Sequence, residues 1–147
     1  MPKAAFRVTP QLALYAYAKT GLKAAAGCYI DGSADSVTCG CPAGILAVAA
    51  GVNPDELRRV CTWLQRRAGL AYEVAFTETF DAAGGTPKHR SNLLLDRERQ
   101  KQGEEDGRRV RIAVENAGLF RCRYLPWQGN CNREEWLHAN RPTEFAP

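Results

Sequence analysis

Apolar residues recur at helical spacing through much of the chain and at alternating spacing in two stretches. These two patterns divide it into elements. Thr9 and Pro10 supply a cap and a first-turn proline, with Leu12, Tyr15, Ala16 and Lys19 following at helical intervals, and Gly21 ends a helix expected over 10–20. Pro42 opens a second helix in which Ile45, Leu46 and Ala49 face one way, closed by Gly51. The third is the best specified. Asn53, Pro54 and Glu56 provide a cap, a first-position proline and a capping-box acceptor. Leu57, Val60, Cys61, Leu64 and Ala68 then form one apolar stripe, and Gly69 supplies the stop.

Alternation takes over in "LAYEVAFTETF" (70–80), which is rich in β-formers and reads as a strand. The cluster "DAAGGTPKHR" and the apolar "SNLLLD" after it complete a hairpin with a long basic tip. Residues 24–36 carry Gly27, Asp31, Gly32, Ser33, Asp35 and Ser36, a loop composition, and "SVTCGCP" offers a short extended piece. From Asp96 the segment "DRERQKQGEEDGRR" is so charged that it reads as a solvated linker or an exposed helix, and therefore as a boundary. Beyond it Val110, Ala113, Val114 and Ala117 mark a helical face stopped at Gly118, and "LFRCRYL" alternates like a strand. The expected organisation is a domain over 1–95 and a helix/strand extension, with its charged linker, over 96–147.

The order over residues 9–95 resembles the winged helix-turn-helix superfamily, through "ILAVAAGVNPDELRRVCTWL" for the corner, "LQRRAGL" for the exit into a sheet, and "GGTPKHRSNLLL" for the wing. It covers 87 of the 147 residues and leaves the C-terminal part unmatched. The resemblance implies an α+β fold with a recognition helix and a wing hairpin, and a DNA-binding role.

A helix with Leu57, Val60, Cys61 and Leu64 turned inward carries Arg59, Thr62 and Arg66 outward, with Arg58 flanking. Arginine can grip guanine bidentately in a major groove, and threonine can meet a base edge or a thymine methyl. Lys88, His89 and Arg90 on the hairpin tip suit a phosphate backbone or a minor groove. Charge restrains this reading. Between 53 and 92 six Lys or Arg stand against five Asp or Glu, with Asp55 and Glu56 at the end of the helix that would approach phosphate. Two function classes therefore stand. One is a double-stranded-DNA-binding regulator of phage or plasmid type, acting as a homodimer. The alternative is a non-enzymatic protein-interaction module, such as an inhibitor of a host defence complex, whose partner is a host protein.

A chain of 147 residues with 45% hydrophobic and 24% charged residues is globular in character, and its net charge of +4 permits an acidic partner without requiring one. The apolar run 42–52 is about half of what a membrane-spanning helix needs. With no export signal legible at the N-terminus, a cytoplasmic protein with reduced thiols is the expectation, despite six cysteines. Cys39 and Cys41 form a C-x-C pair with no second pair at zinc-finger spacing, so neither metal nor other cofactor is expected. Neither His89 nor His138 sits in a catalytic motif, and no phosphate loop or dinucleotide fingerprint occurs, which argues against an enzyme. Phe120, Tyr124, Trp127, Trp136 and Phe145, interspersed with arginines, form either a partner surface or a satellite core.

Overall fold

The computed structural model describes residues 5–31, 37–57, 62–83, 96–127 and 132–145. The fold is α+β and mostly helical. Helix α1 spans Pro10–Thr20, strands β1 (Lys23–Ala24) and β2 (Cys39–Gly40) form a two-stranded parallel sheet, and α2 spans Pro42–Ala49. A 3-10 turn at Pro54–Leu57 precedes α3 (Thr62–Ala68), α4 (Leu70–Asp81), α5 (Arg97–Asn116), α6 (Arg133–Ala139) and a last 3-10 turn at Thr143–Phe145. Among the described residues no helix is long and apolar enough to cross a membrane.

The first two helices form as their sequences dictate. Thr9 Oγ1 accepts from the Leu12 amide, Pro10 and Pro42 occupy first-turn positions, and Gly21 closes α1 in the left-handed conformation. Leu12, Ala16, Ile45 and Leu46 meet Leu57, Leu64, Phe76 and Phe80 in the core, all at 2% exposure or less. Each large side chain removed from water here contributes on the order of 1.5–3 kcal/mol.

The strand expected over 70–80 is instead the helix α4. Tyr72, Phe76 and Phe80 are spaced by four, which satisfies both an alternating pattern and a helical one, so they cannot discriminate. The discriminating pair is Val74 and Ala75: Ala75 is buried and Val74 only half-buried, as a helix with its face centred on Tyr72, Phe76 and Phe80 requires. The expected hairpin thereby loses its first strand. Its tip and returning strand lie outside the described residues.

What selects the helix is α5. The charged segment after Asp96 is the first part of a 20-residue helix, capped by the Asp96 side chain on the Arg99 amide. Gly103, Gly107, Val110 and Val114 fall at i, i+4, i+7 and i+11 and are all buried. The two glycines let the helices touch backbone to backbone. A Cβ on Gly103 would lie 2.5 Å from the Tyr72 carbonyl oxygen, and one on Gly107 would lie 2.8 Å from that of Phe76. The "LFRCRYL" segment is likewise not a strand among the described residues. The chain turns over at Gly118, whose amide and that of Leu119 return to the Glu115 and Val114 carbonyls; the Leu119 carbonyl accepts the Ala24 amide of β1 at 2.8 Å, and the segment then continues to Trp127 without forming a strand.

A buried polar network locks this crossing. Asp106 takes a bidentate pair of 2.9 Å bonds from Arg7 and a 2.5 Å bond from the Tyr72 hydroxyl, which itself accepts the Val8 amide at 2.7 Å. The Asp106 hydrogen bond holds the Arg7 guanidinium firmly protonated, and burial pushes the Tyr72 hydroxyl well above its ordinary range. Arg99 lies over the Tyr72 ring and donates to the Phe6 and Ala68 carbonyls. Arg111 donates to the Phe80 carbonyl at 2.7 Å. On another face of α4, the buried Glu73 accepts a 2.5 Å bond from Tyr29 and further bonds from Thr77 and Gln65.

Gly103→Ala tests the crossing. In an open helix the change would stabilise by up to about 1 kcal/mol; here overpacking costs about 1–3 kcal/mol, so a net loss is expected in urea unfolding. A net gain would refute the close approach.

A second prediction concerns pH. Burial raises the Glu73 carboxyl above its ordinary value of 4.5, so the folded state binds more protons than the unfolded state in the interval above that value. Its contribution to stability therefore falls as pH rises through that interval. Glu73→Gln removes the dependence, so unfolding measured from about pH 4 to about pH 8 should show the variant gaining on the parent as pH rises. Parallel curves would exclude the assignment.

Candidate nucleic-acid interface

The corner between α2 and α3 is closed by backbone bonds that its sequence prescribes. The Val52 amide returns to the Ala47 carbonyl and the Gly51 amide to that of Val48, each at 3.0 Å, with Gly51 at φ 96°. This closure needs a left-handed residue between the helix and the next segment, which glycine supplies without a Cβ penalty. Asn53 then caps the chain it leads: its Oδ1 accepts the Asp55 amide and its carbonyl accepts the Glu56 amide, both at 3.0 Å.

The expected continuous helix over 54–68 differs at its start. Pro54–Leu57 is a 3-10 turn and the α-helix is assigned from Thr62, with 58–61 outside the described residues. Cap and proline determine where the helical turn starts. They do not determine its pitch, and a 3-10 turn satisfies the same amides with a tighter ring. Of the apolar stripe, Leu57, Leu64 and Ala68 are buried, whereas Val60 and Cys61 lie outside the described residues.

Of the candidate reading residues, Arg66 is exposed on α3 and has no hydrogen bond or ion pair among the described residues. Thr62 is the first residue of α3. Arg58, Arg59, Lys88, His89 and Arg90 lie outside the described residues. Asp55 and Glu56 are exposed beside the corner.

Arg67 also carries its charge on this helix, 4.5 Å above the Trp63 ring. That ring stacks on Phe145 at 6.3 Å and meets Phe6 edge-on. The 100° step leaves Trp63 at the margin of the stripe, yet it is only 9% exposed because the C-terminal segment covers it. The C-terminal ends of α2 and α3 each carry a cation that sequence reasoning missed. Lys19 donates to the Ala49 carbonyl at the end of α2 at 2.9 Å, and Arg99 donates to the Ala68 carbonyl at the end of α3 at 3.0 Å. Both reach these carbonyls from distant segments, so no local motif announces them.

Among the described residues the cysteines and carboxylates do not gather. Cys39 Sγ lies 3.9 Å from Asp31 Oδ2, and among the described residues no group of three or more His, Cys, Asp or Glu is placed to hold a metal ion. No protein-family model, curated protein or solved structure matches this chain.

Because the corner depends on its cap, Asn53→Ala should cost about 1 kcal/mol, measured by chemical denaturation, with Asn53→Ser recovering most of it. An unchanged midpoint for Asn53→Ala would show that the cap is energetically idle.

Proposed function

We propose that the chain is a DNA-binding protein of helix-turn-helix type that reads duplex DNA with the helix after the Gly51 corner. It would act as a small non-enzymatic regulator, as a homodimer. The observation that carries this reading is the corner itself: a glycine-closed α2, an asparagine cap, and a following helix that buries Leu64 and Ala68 while Arg66 projects into water uncompensated. The winged form of the motif has less support, since α4 stands where the first wing strand was expected. Any contribution from Lys88, His89 and Arg90 is then that of a basic loop contacting phosphate. A protein partner is the second reading, favoured by the exposed Asp55 and Glu56 beside the corner and by the outward Leu70 and Ile112, each more than half exposed.

Fluorescence anisotropy with genomic duplex fragments tests the first reading. Affinity should fall steeply with salt. Arg59→Ala combined with Arg66→Ala should weaken binding by roughly tenfold or more and flatten the salt slope by about one unit for each arginine–phosphate pair removed. Binding indifferent to both substitutions would remove this helix as the reader. Absence of duplex affinity at low salt, with capture of a protein partner, would decide for the second reading.

A further inference from the structure

Helix α1 and the C-terminal segment enclose an open cavity of about 500 Å³ that the DNA reading does not use. This volume falls within the range of small-molecule sites. One wall is aromatic: Phe145 packs on Tyr15 at 5.6 Å and stacks on Trp63, while Tyr15 stacks on Trp136. The rim is cationic. Lys19 sits 5.3 Å above the Phe145 ring, held by the Ala49 carbonyl, and Arg133 donates to the Lys19 carbonyl at 2.9 Å. Among the described lining residues the one carboxylate, Glu134, is taken up by Arg133 at 2.5 Å. His138 and Arg141 are exposed, line the same space, and have no hydrogen bond or ion pair among the described residues.

Among the described residues that line it, Arg133 is paired with Glu134 and Lys19 is held by a carbonyl and a ring, which leaves Arg141 as the open permanent cation and the lining with a net positive charge that favours an anion. A half-buried aromatic wall favours a flat ring. A guanidinium fork left open matches the spaced oxygens of a phosphate, and an aromatic wall matches the face of a base. We propose that this cavity is a nucleotide site, with the phosphate on Arg141 and His138 and the base against Phe145. The site stands independently of the DNA reading. Its nucleotide is either free or part of a DNA strand, and the two sources share this chemistry.

The probe is adenosine monophosphate, titrated into the full chain and followed by calorimetry and by intrinsic fluorescence. All three tryptophans belong to the aromatic cluster beside the cavity, since Trp127 also packs on Trp136. Saturable binding is expected, weakened at least about tenfold by Arg141→Ala, with adenosine alone and inorganic phosphate alone each far weaker. Arg141 and His138 are exposed, so their alanine variants should keep the parent's melting temperature. No saturable binding at about 1 mM, or affinity unchanged in both Arg141→Ala and His138→Ala, would overturn the site. Inorganic phosphate binding as tightly as the nucleotide would overturn its class. Displacement of the nucleotide by a single-stranded oligonucleotide assigns the phosphate to a strand, and simultaneous occupancy assigns it to a free nucleotide; either supports the site. The titration uses neither duplex nor Arg66, so its failure is distinguishable from failure of the DNA reading.

Discussion

The contact of α4 with α5 through Gly103 and Gly107 organises the molecule, because it brings two backbones closer than any side chain would allow. At that separation the polar groups near the crossing lose access to water, so leaving a charged one unpaired there would be costly. Asp106 avoids this by taking Arg7 and Tyr72 together. Tyr72 in turn accepts the Val8 amide, so the segment leading into α1 is positioned by the same crossing that fixes α4. Arg99 and Arg111 cover Tyr72 and Phe80 from α5 and supply donors to the final carbonyls of α3 and α4. A helix rich in charge is therefore the one on which the others are aligned.

This use of cations changes what the net charge means. Arg7, Arg99, Arg111 and Lys19 are tied to carboxylates, carbonyls or rings, which leaves their charge largely compensated within the fold. The surface charge that a partner meets is set by fewer residues, such as Arg66 on α3 and Arg141 beyond α6. An excess of +4 spread evenly would make a weak general attraction for nucleic acid; concentrated at a few uncompensated side chains, it makes local sites.

The C-terminal segment is drawn into the same fold by its rings. Its aromatics were open to two readings in the sequence, a partner surface or a satellite core, and the fold packs Trp136 and Phe145 on Tyr15 and Phe145 on Trp63. Leu137 is buried with them. Their packing also creates a concave space between α1 and the tail, where side chains distant in sequence converge. A cavity of this kind has no linear signature, since its walls come from Lys19 at one end of the chain and Arg141 at the other.

By itself the sequence determined the elements whose information is local: α1, α2, the Gly51 corner and the Asn53 cap. There, proline, glycine and capping side chains act on amides a few residues away. It determined the stripe that buries Leu57, Leu64 and Ala68 for the same reason. The tertiary structure alone decided α4, because Tyr72, Phe76 and Phe80 suit either period and only the glycine face of α5 selects the helix. It alone decided that α5 is a packed element, since Gly103 and Gly107 read locally as helix breakers and serve here as the surface that lets another backbone in. For the candidate sites the division is similar. Arg66 was legible from a single helix's periodicity, whereas the cations capping α2 and α3, and those around the cavity, gain their roles from neighbours that only folding brings near.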